Sequence, residues 1–323
     1  MSWLITGGAG YIGSHVAQHF LNNKLDVVIV DSLINSTKKR INFLESNFSS
    51  LRFSFHQIDI RDTVEINALM LEQEFEGVVH LAALKSVEDS FKKKDLYNNI
   101  NAIGTSELMD LAITNNIENF IFSSTAAVYG LTHAPEGVSE SSPTSPISPY
   151  GTSKLHAEGV ITKKLNQSKI KGTSLRFFNV IGTSHRELID TSEDNLIPAL
   201  LKCLRDNTQP KIFGSDYGTQ DGTAVRDYVD VRDIANAHLL AAIGAEQLPP
   251  IINIGTGQGY SVLQVISAIS ELTGTNLIPI ILGRREGDPA EIYAEISLAR
   301  EVLKFEPTYD ITRSLQTLLI ESR

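Results

Sequence analysis

The sequence predicts an α/β fold, a doubly wound parallel sheet followed by a smaller C-terminal lobe. Short apolar runs alternate with helical patterns through the first half of the chain. A glycine triplet joins the first apolar run to the first helical pattern. After Asn179 loops lengthen, Gly and Pro punctuate more often, and the alternation weakens.

The expected strands are Trp3–Ile5, Val27–Val30, Phe53–Gln57, Gly77–Leu81, Asn119–Phe122 and Ser174–Phe177, each built largely from Val, Ile or Phe. Helices are expected over Ile12–Asn22, Val64–Glu74 and Ile103–Asn115. Such a sequence implies parallel strands covered on both faces by the helices between them. Asn22–Asn23 is expected to close the first helix, because Asn tolerates a left-handed cap.

The bulk properties narrow the function. A chain of 323 residues with 42% hydrophobic and 20% charged residues is globular and long enough for two lobes. A net charge of -10 argues against nonspecific nucleic-acid binding, which needs clustered cations. Cys203 is the only cysteine, so no intrachain disulfide forms and a reducing compartment fits. Within the helical run Leu196–Leu204 it is expected to be a buried structural thiol. No basic and apolar leader precedes Ser2–Thr6, and no run approaches the roughly 18 apolar residues of a membrane span. A soluble, cytoplasmic protein without a membrane partner is therefore expected. His15 and His19 are four residues apart but have no third ligand nearby in sequence, so no metal is expected. Neither a phosphate-binding Gly-x-x-x-x-Gly-Lys loop nor a Gly-x-Ser-x-Gly elbow occurs.

Gly7, Gly10 and Gly13 form Gly-x-x-Gly-x-x-Gly around Tyr11 and Ile12, after a strand and at the start of a helix. Glycines there permit a tight turn and close backbone approach to a diphosphate, which the helix N-terminus attracts. Asp31 ends the second strand near the offset of about 20 residues at which a carboxylate binds the adenosine ribose. It would repel a 2′-phosphate, so NAD is expected rather than NADP. Asp59–Ile60 and Leu81–Ala82–Ala83 are further strand ends that line a crevice in such a Rossmann-type sheet. Residues 1–179 are accordingly read as the NAD-binding domain and 180–323 as the substrate lobe. Tyr228–Ala242 and Ile251–Ile254 are candidates to return to the first domain.

Tyr150 and Lys154, in Ser148–Lys154, are four residues apart and share a helix face if a helix starts at Pro149. A nearby ammonium favours the phenolate and lowers a tyrosine pKa from about 10, making a usable base. Phe120–Thr125 is a strand ending in hydroxyls, from which Thr125 can hydrogen-bond a substrate hydroxyl beside Tyr150.

Glycine triplet, Asp31, hydroxyl cluster and Tyr-x-x-x-Lys, in this order, resemble the extended short-chain dehydrogenase/reductase family over nearly the whole chain. Similar stretches include 6–15, 31–36, 84–87, 120–130, 148–154, 176–179, 195–198, 221–229 and 284–288. The last two point to its nucleotide-sugar members. The resemblance implies an isomerase that inverts C4 of UDP-glucose and UDP-galactose through a transient 4-keto sugar. It implies tightly bound NAD, regenerated each turnover, and a homodimer. By the same resemblance Tyr150 is the acid/base, Lys154 binds the nicotinamide ribose, and Thr125 replaces a serine. Asn35, Ser36, Lys85, Asn101 and Phe178 fall near the cofactor. Asn179, Asn195, Leu196, Phe213, Arg226, Arg285 and Asp288 fall where the family binds the UDP moiety, and the two arginines suit a diphosphate clamp.

Three alternatives are weighed. A 4,6-dehydratase needs acids after the catalytic Thr, where this chain has Ala126–Ala127. A net reductase would favour NADPH, which Asp31 disfavours. A non-catalytic NAD-binding scaffold would be signalled by loss of Tyr150 or Lys154, and both are present. Two departures stand out. Residues 181–190 lack the Pro-Ser-Gly turn expected after Asn179. Ile292 occupies a position that is often Tyr in enzymes restricted to glucose and galactose, so N-acetylated UDP-sugars are expected to fit as well.

Overall fold

A computed structural model of the chain describes residues 1–131, 136–192, 195–244, 248–285 and 287–321. Its strands are β1 (Ser2–Thr6), β2 (Asp26–Val30), β3 (Phe53–His56), β4 (Phe75–His80), β5 (Asn119–Thr125), β6 (Lys171–Phe177), β7 (Asn179–Ile181), β8 (Lys211–Phe213), β9 (Val225–Asp230), β10 (Ile251–Ile254), β11 (Gly259–Ser261), β12 (Ile280–Leu282) and β13 (Glu291–Ile292). Its α-helices are α1 (Tyr11–Asn22), α2 (Lys38–Asn47), α3 (Thr63–Glu72), α4 (Val87–Lys92), α5 (Lys94–Asn98), α6 (Thr105–Thr114), α7 (Pro149–Gln167), α8 (Leu196–Asp206), α9 (Val231–Ile243), α10 (Val262–Thr273), α11 (Ser297–Leu303) and α12 (Ile311–Glu321).

Seven strands form one sheet in the order β10-β6-β5-β4-β1-β2-β3, and every pairing in it is parallel. The period of two decides what covers it. Trp3, Ile5, Val27 and Ile29 pack with Phe20 of α1 and Ile234 of α9. Leu4, Val28 and Val30 point the other way, to Ile66 of α3, Leu108 of α6 and Ile161 of α7. Strand order reverses between β1 and β4, so their C-terminal ends part and leave a crevice.

β10 is the outermost strand beside β6, α9 packs on α1, and α11 packs on β10. Beyond the main sheet, β9 pairs with β7, β11 and β13, while β8 pairs with β12. A separate apolar cluster including Ile197, Leu200, Tyr228, Ile266 and Leu315 fills this lobe.

Several local expectations need correcting. Asn23 has φ -90°, and the left-handed residue is Lys24 at φ 66°. Its amide reaches back to the Leu21 carbonyl while Leu25 bonds Phe20, which places the reversal one residue later. The helix expected from Ile103 is preceded by a π-helical turn, Asn99–Gly104, whose extra residue turns Asn101 inward. Cys203 on α8 is only partly covered.

Candidate active site

The cofactor half of the crevice is built around the glycine turn. Gly7 has φ +74°, and a Cβ there would sit 2.6 Å from the Ala82 amide nitrogen. A Cβ on Gly13 would sit 2.2 Å from the Gly7 carbonyl oxygen. The turn therefore presents bare backbone to the cleft, and α1 begins there with no side-chain cap from Gly10. An uncapped helix start behind a side-chain-free turn fits a dinucleotide diphosphate. We expect Gly13→Ala to force the turn apart, destabilising the fold by about 2 kcal/mol and lowering NAD retained through gel filtration. An unchanged unfolding midpoint with full NAD content would contradict this.

Asp31 braces the same turn. Its carboxylate accepts from the Ala9 amide at 3.0 Å, the Leu33 amide at 2.8 Å and the Ser36 hydroxyl at 2.9 Å. Asn35, Ser36, Asp59, Ile60, Leu81, Ala82, Ala83 and Lys85 line the cleft with it. Asp59 lies beyond the end of β3 and is held by Arg61 at 2.7 Å, which pulls its pKa below the usual carboxylate value. The Lys85 ammonium lies 3.6 Å from Asp190, across the cleft.

The next part of the crevice lies where β5 ends and α7 begins. Ser148 caps α7 by accepting from the Gly151 amide at 3.1 Å, and Pro149 occupies its first turn. That start puts Tyr150 and Lys154 on one helix face, and both line the cleft with Thr125. Burial pushes the Tyr150 phenol up, while a hydrogen bond with Thr125 works the other way. Burial brings the Lys154 ammonium down to about 7, against the attraction of Glu158. Lys154 donates to the Ser123 carbonyl at 2.8 Å. Behind it, Glu158 accepts from the Ser124 hydroxyl at 2.5 Å and from Arg176 at 2.6 and 2.9 Å. The dyad thus backs onto a buried, hydrogen-bonded ion pair rather than onto solvent.

Phe178, Asn179, Asn195, Leu196, Arg226, Asp288 and Ile292 line the far end of the same cleft. β13 pairs Ile292 with Arg226 in register, so the apolar residue and the cation emerge side by side. Arg226 donates to Asp288 at 2.5 Å. Three expected site residues, Phe213, Arg285 and Asn101, are absent from the lining. The Arg285 guanidinium stacks on the Phe213 ring at 3.9 Å instead of entering the cleft. Asn101 is fully buried, donating to the Leu84 carbonyl at 2.9 Å and the Ser153 hydroxyl at 3.1 Å and accepting from the Leu84 amide at 2.8 Å. It ties the loop after β4 to α7. Glu286, in the 284–288 stretch, lies outside the described residues.

Arg40 and Asp190 line the cleft although no motif marked them. Arg40 follows Asp31 through a turn, and Asp190 lies in the divergent 181–190 segment, so neither has a spacing that signals a role. His15 is a packing residue: it donates from Nδ1 to the Tyr11 carbonyl at 2.9 Å and accepts at Nε2 from the Ser184 amide at 3.1 Å.

Fold and site together define a dinucleotide-binding enzyme whose cleft is lined by a tyrosine and a lysine from one helix. The sequence profile of the NAD dependent epimerase/dehydratase family matches residues 3–255, and the chain belongs to that family. It is similar to UDP-glucose 4-epimerase of Lactobacillus helveticus, at 35% identity over 96% of this chain and 93% of that protein. Its fold superposes with a TM-score of 0.94 on UDP-glucose-4-epimerase from Stenotrophomonas maltophila, solved with bound NAD and formylated UDP-arabinopyranose, at 36% identity over 100% of this chain and 98% of that one. The UDP-Glc/GlcNAc 4-epimerase of Campylobacter jejuni gives a TM-score of 0.85 at 34% identity, covering 98% of this chain and 97% of that chain. No helix among the described residues is long and apolar enough to cross a membrane.

Proposed function

We propose that this chain interconverts UDP-glucose and UDP-galactose by inverting C4, with NAD as a tightly held resident cofactor. One observation carries the reading: Tyr150, Lys154 and Thr125 line one continuous cleft of about 810 Å³ together with the glycine turn and Arg226. A nucleotide cofactor at one end and a nucleotide sugar at the other would meet at the phenol.

Tyr150 takes the proton of the 4-hydroxyl and, once the 4-keto sugar has turned its other face to the cofactor side, returns it to the same oxygen. Thr125 orients that hydroxyl, and Lys154 supplies the positive charge that makes the phenolate accessible. NAD, when bound, would supply reversible hydride acceptance, which leaves no net redox change over the cycle. Gly7, Gly10, Tyr11, Ile12, Gly13, Asp31 and the strand ends after β3 and β4 would hold it. Arg226, freed from Asp288, pairs with the UDP diphosphate, aided by Asn179, Asn195 and Leu196. Arg226 is the guanidinium suited to this, because Arg285 is committed to Phe213. Ala126 and Ala127 line the wall where a dehydratase would need carboxyl groups.

Residues 1–179, with α9, β10 and α11, serve as the NAD-binding domain, and the rest of 180–323 as the substrate lobe. The apolar side chains Val87, Phe91 and Ile103, exposed around α4 and the π turn, support pairing into a homodimer; sedimentation at the mass of one chain would refute it. A cytoplasmic location fits the lone cysteine and the nucleotide ligands.

The sugar pocket is bounded by Ile292, whose branched chain leaves more room than a tyrosine. We expect turnover of both UDP-galactose and UDP-N-acetylgalactosamine, and about tenfold or greater selective loss of the acetylated pair in Ile292→Tyr. No interconversion of UDP-galactose by NAD-containing protein would end the principal reading. Inactivity on the acetylated pair alone would end the extension.

A further inference from the structure

Arg40 is the third residue of α2, a helix that is otherwise largely exposed, yet it is only 9% exposed itself. It lines the cleft beside Gly10, Tyr11 and Asp31. Its two hydrogen bonds go to main-chain carbonyls, Nη2 to Ile189 at 2.6 Å and Nη1 to Ala9 at the outer limit of 3.5 Å. Nε is buried without a partner. A guanidinium buried this far ordinarily has a carboxylate or phosphate against it.

The nearby carboxylates already have partners. Asp31 takes hydrogen bonds from Ala9, Leu33 and Ser36, and Asp190 from Ser192 and Asn195, with Lys85 beside it. Asp190 and Asp31 both attract Arg40, but neither hydrogen-bonds it, so among the described residues the direct, charge-assisted contact is left for a ligand to bring. Ala9 belongs to the glycine turn, so the cation stands where phosphates approach bare backbone. Ile189 belongs to the divergent 181–190 segment, which fixes the guanidinium from its other side.

We propose that Arg40 is a phosphate ligand for the dinucleotide, acting on its diphosphate and held in place by the carbonyls of Ala9 and Ile189. This rests on the NAD-binding reading above. A forked, charge-assisted contact of this kind strengthens binding of a diphosphate and does nothing for a nucleoside. A 2′-phosphate offers the same chemistry, but the neighbouring Asp31 carboxylate repels it.

The test compares full-length protein, Arg40→Met and Arg40→Lys by titration with ADP-ribose, adenosine, NAD and NADP, alongside thermal unfolding. Arg40→Met should bind ADP-ribose and NAD about 10- to 100-fold more weakly and keep its adenosine affinity. Arg40→Lys, which retains charge without the fork and covers the case of a misfolded Met variant, should lose about tenfold on ADP-ribose. Equal loss for adenosine and ADP-ribose would mean a tether and overturn the proposal, as would unchanged affinities. Loss confined to NADP would place a 2′-phosphate on Arg40 and overturn the diphosphate assignment. Should the unaltered protein bind NAD while Arg40→Met binds it equally well, only this inference falls. If the unaltered protein releases no NAD on denaturation and binds neither added NAD nor ADP-ribose, the cofactor reading falls with it.

Discussion

Tyr150→Phe is expected to lower turnover of UDP-galactose by about a thousandfold, the range of a lost general acid/base, while the purified protein still folds and carries NAD. The substitution removes one hydroxyl and leaves the ring, which packs against the apolar cluster of Ile60, Leu84, Tyr97 and Ile100. The loss of the Thr125 hydrogen bond destabilises the fold by about 1 kcal/mol at most. Of the other phenols that line the cleft among the described residues, Tyr11 donates to the Gly182 carbonyl at 2.6 Å and burial pushes the Tyr228 phenol up. Tyr97 lines the same cleft, but its hydroxyl donates to the Ser86 carbonyl at 2.7 Å and burial pushes its pKa up to about 12. The comparison is therefore clean: cofactor absorbance intact, unfolding midpoint nearly unchanged, rate collapsed. A variant that retains more than about a tenth of the parent rate would remove Tyr150 from the chemistry.

The second large effect is loss of stability on acidification, beginning near pH 6.5. Three histidines are buried as neutral rings. Burial lowers His80 from 6.5 to about 3, and His15 and His238 from 6.5 to about 4. Their hydrogen bonds tell the same story. His238 faces the Ile234 carbonyl at Nδ1, at 2.8 Å, so its Nε2 must accept from the Ser123 hydroxyl at 2.7 Å. His80 lies 2.8 Å from Thr105, whose own proton goes to Asn101, so its other nitrogen accepts from Thr6 at 2.6 Å. Protonation would set donor against donor at His15, whose Nε2 faces the Ser184 amide, and would force the Thr6 and Ser123 hydroxyls to turn round at His80 and His238.

Below 6.5 the unfolded chain takes up protons that the folded chain refuses, so stability falls with pH and continues to fall until the folded values of about 3 and 4 are reached. Each ring contributes a slope of up to about 1.4 kcal/mol per pH unit. Lys154 adds nothing in this window, being charged in both states below about 7. Glu140, Asp227 and Asp233, whose carboxyls are raised by burial, oppose the trend at lower pH. Denaturant midpoints between pH 6.5 and 5 should thus drop steeply, and His238→Asn should remove about a third of the slope. A flat profile would show that these rings protonate freely in the folded protein.

The parts of the site legible in sequence are those whose partners are close along the chain. The glycine turn, the β1–α1 junction, Asp31, the Ser148–Pro149 helix start and the Tyr150–Lys154 spacing all express geometry within a single turn or strand end. Spacing alone settles which backbone is bare, where a helix begins and which side chains share its face. The apolar alternation of β1 and β2 likewise fixes a sheet covered twice.

What only the tertiary structure decided depends on residues far apart in the chain. Arg226 meets Asp288 across sixty-two positions, Lys85 meets Asp190, and Arg40 is anchored by Ile189. Arg285 follows the same sequence pattern as a diphosphate ligand, yet it is drawn onto Phe213, and Asn101 is spent on joining Leu84 to Ser153. Such choices are made by which surfaces come together when the lobe docks on the sheet. A guanidinium has several partners of nearly equal worth, and only packing selects among them.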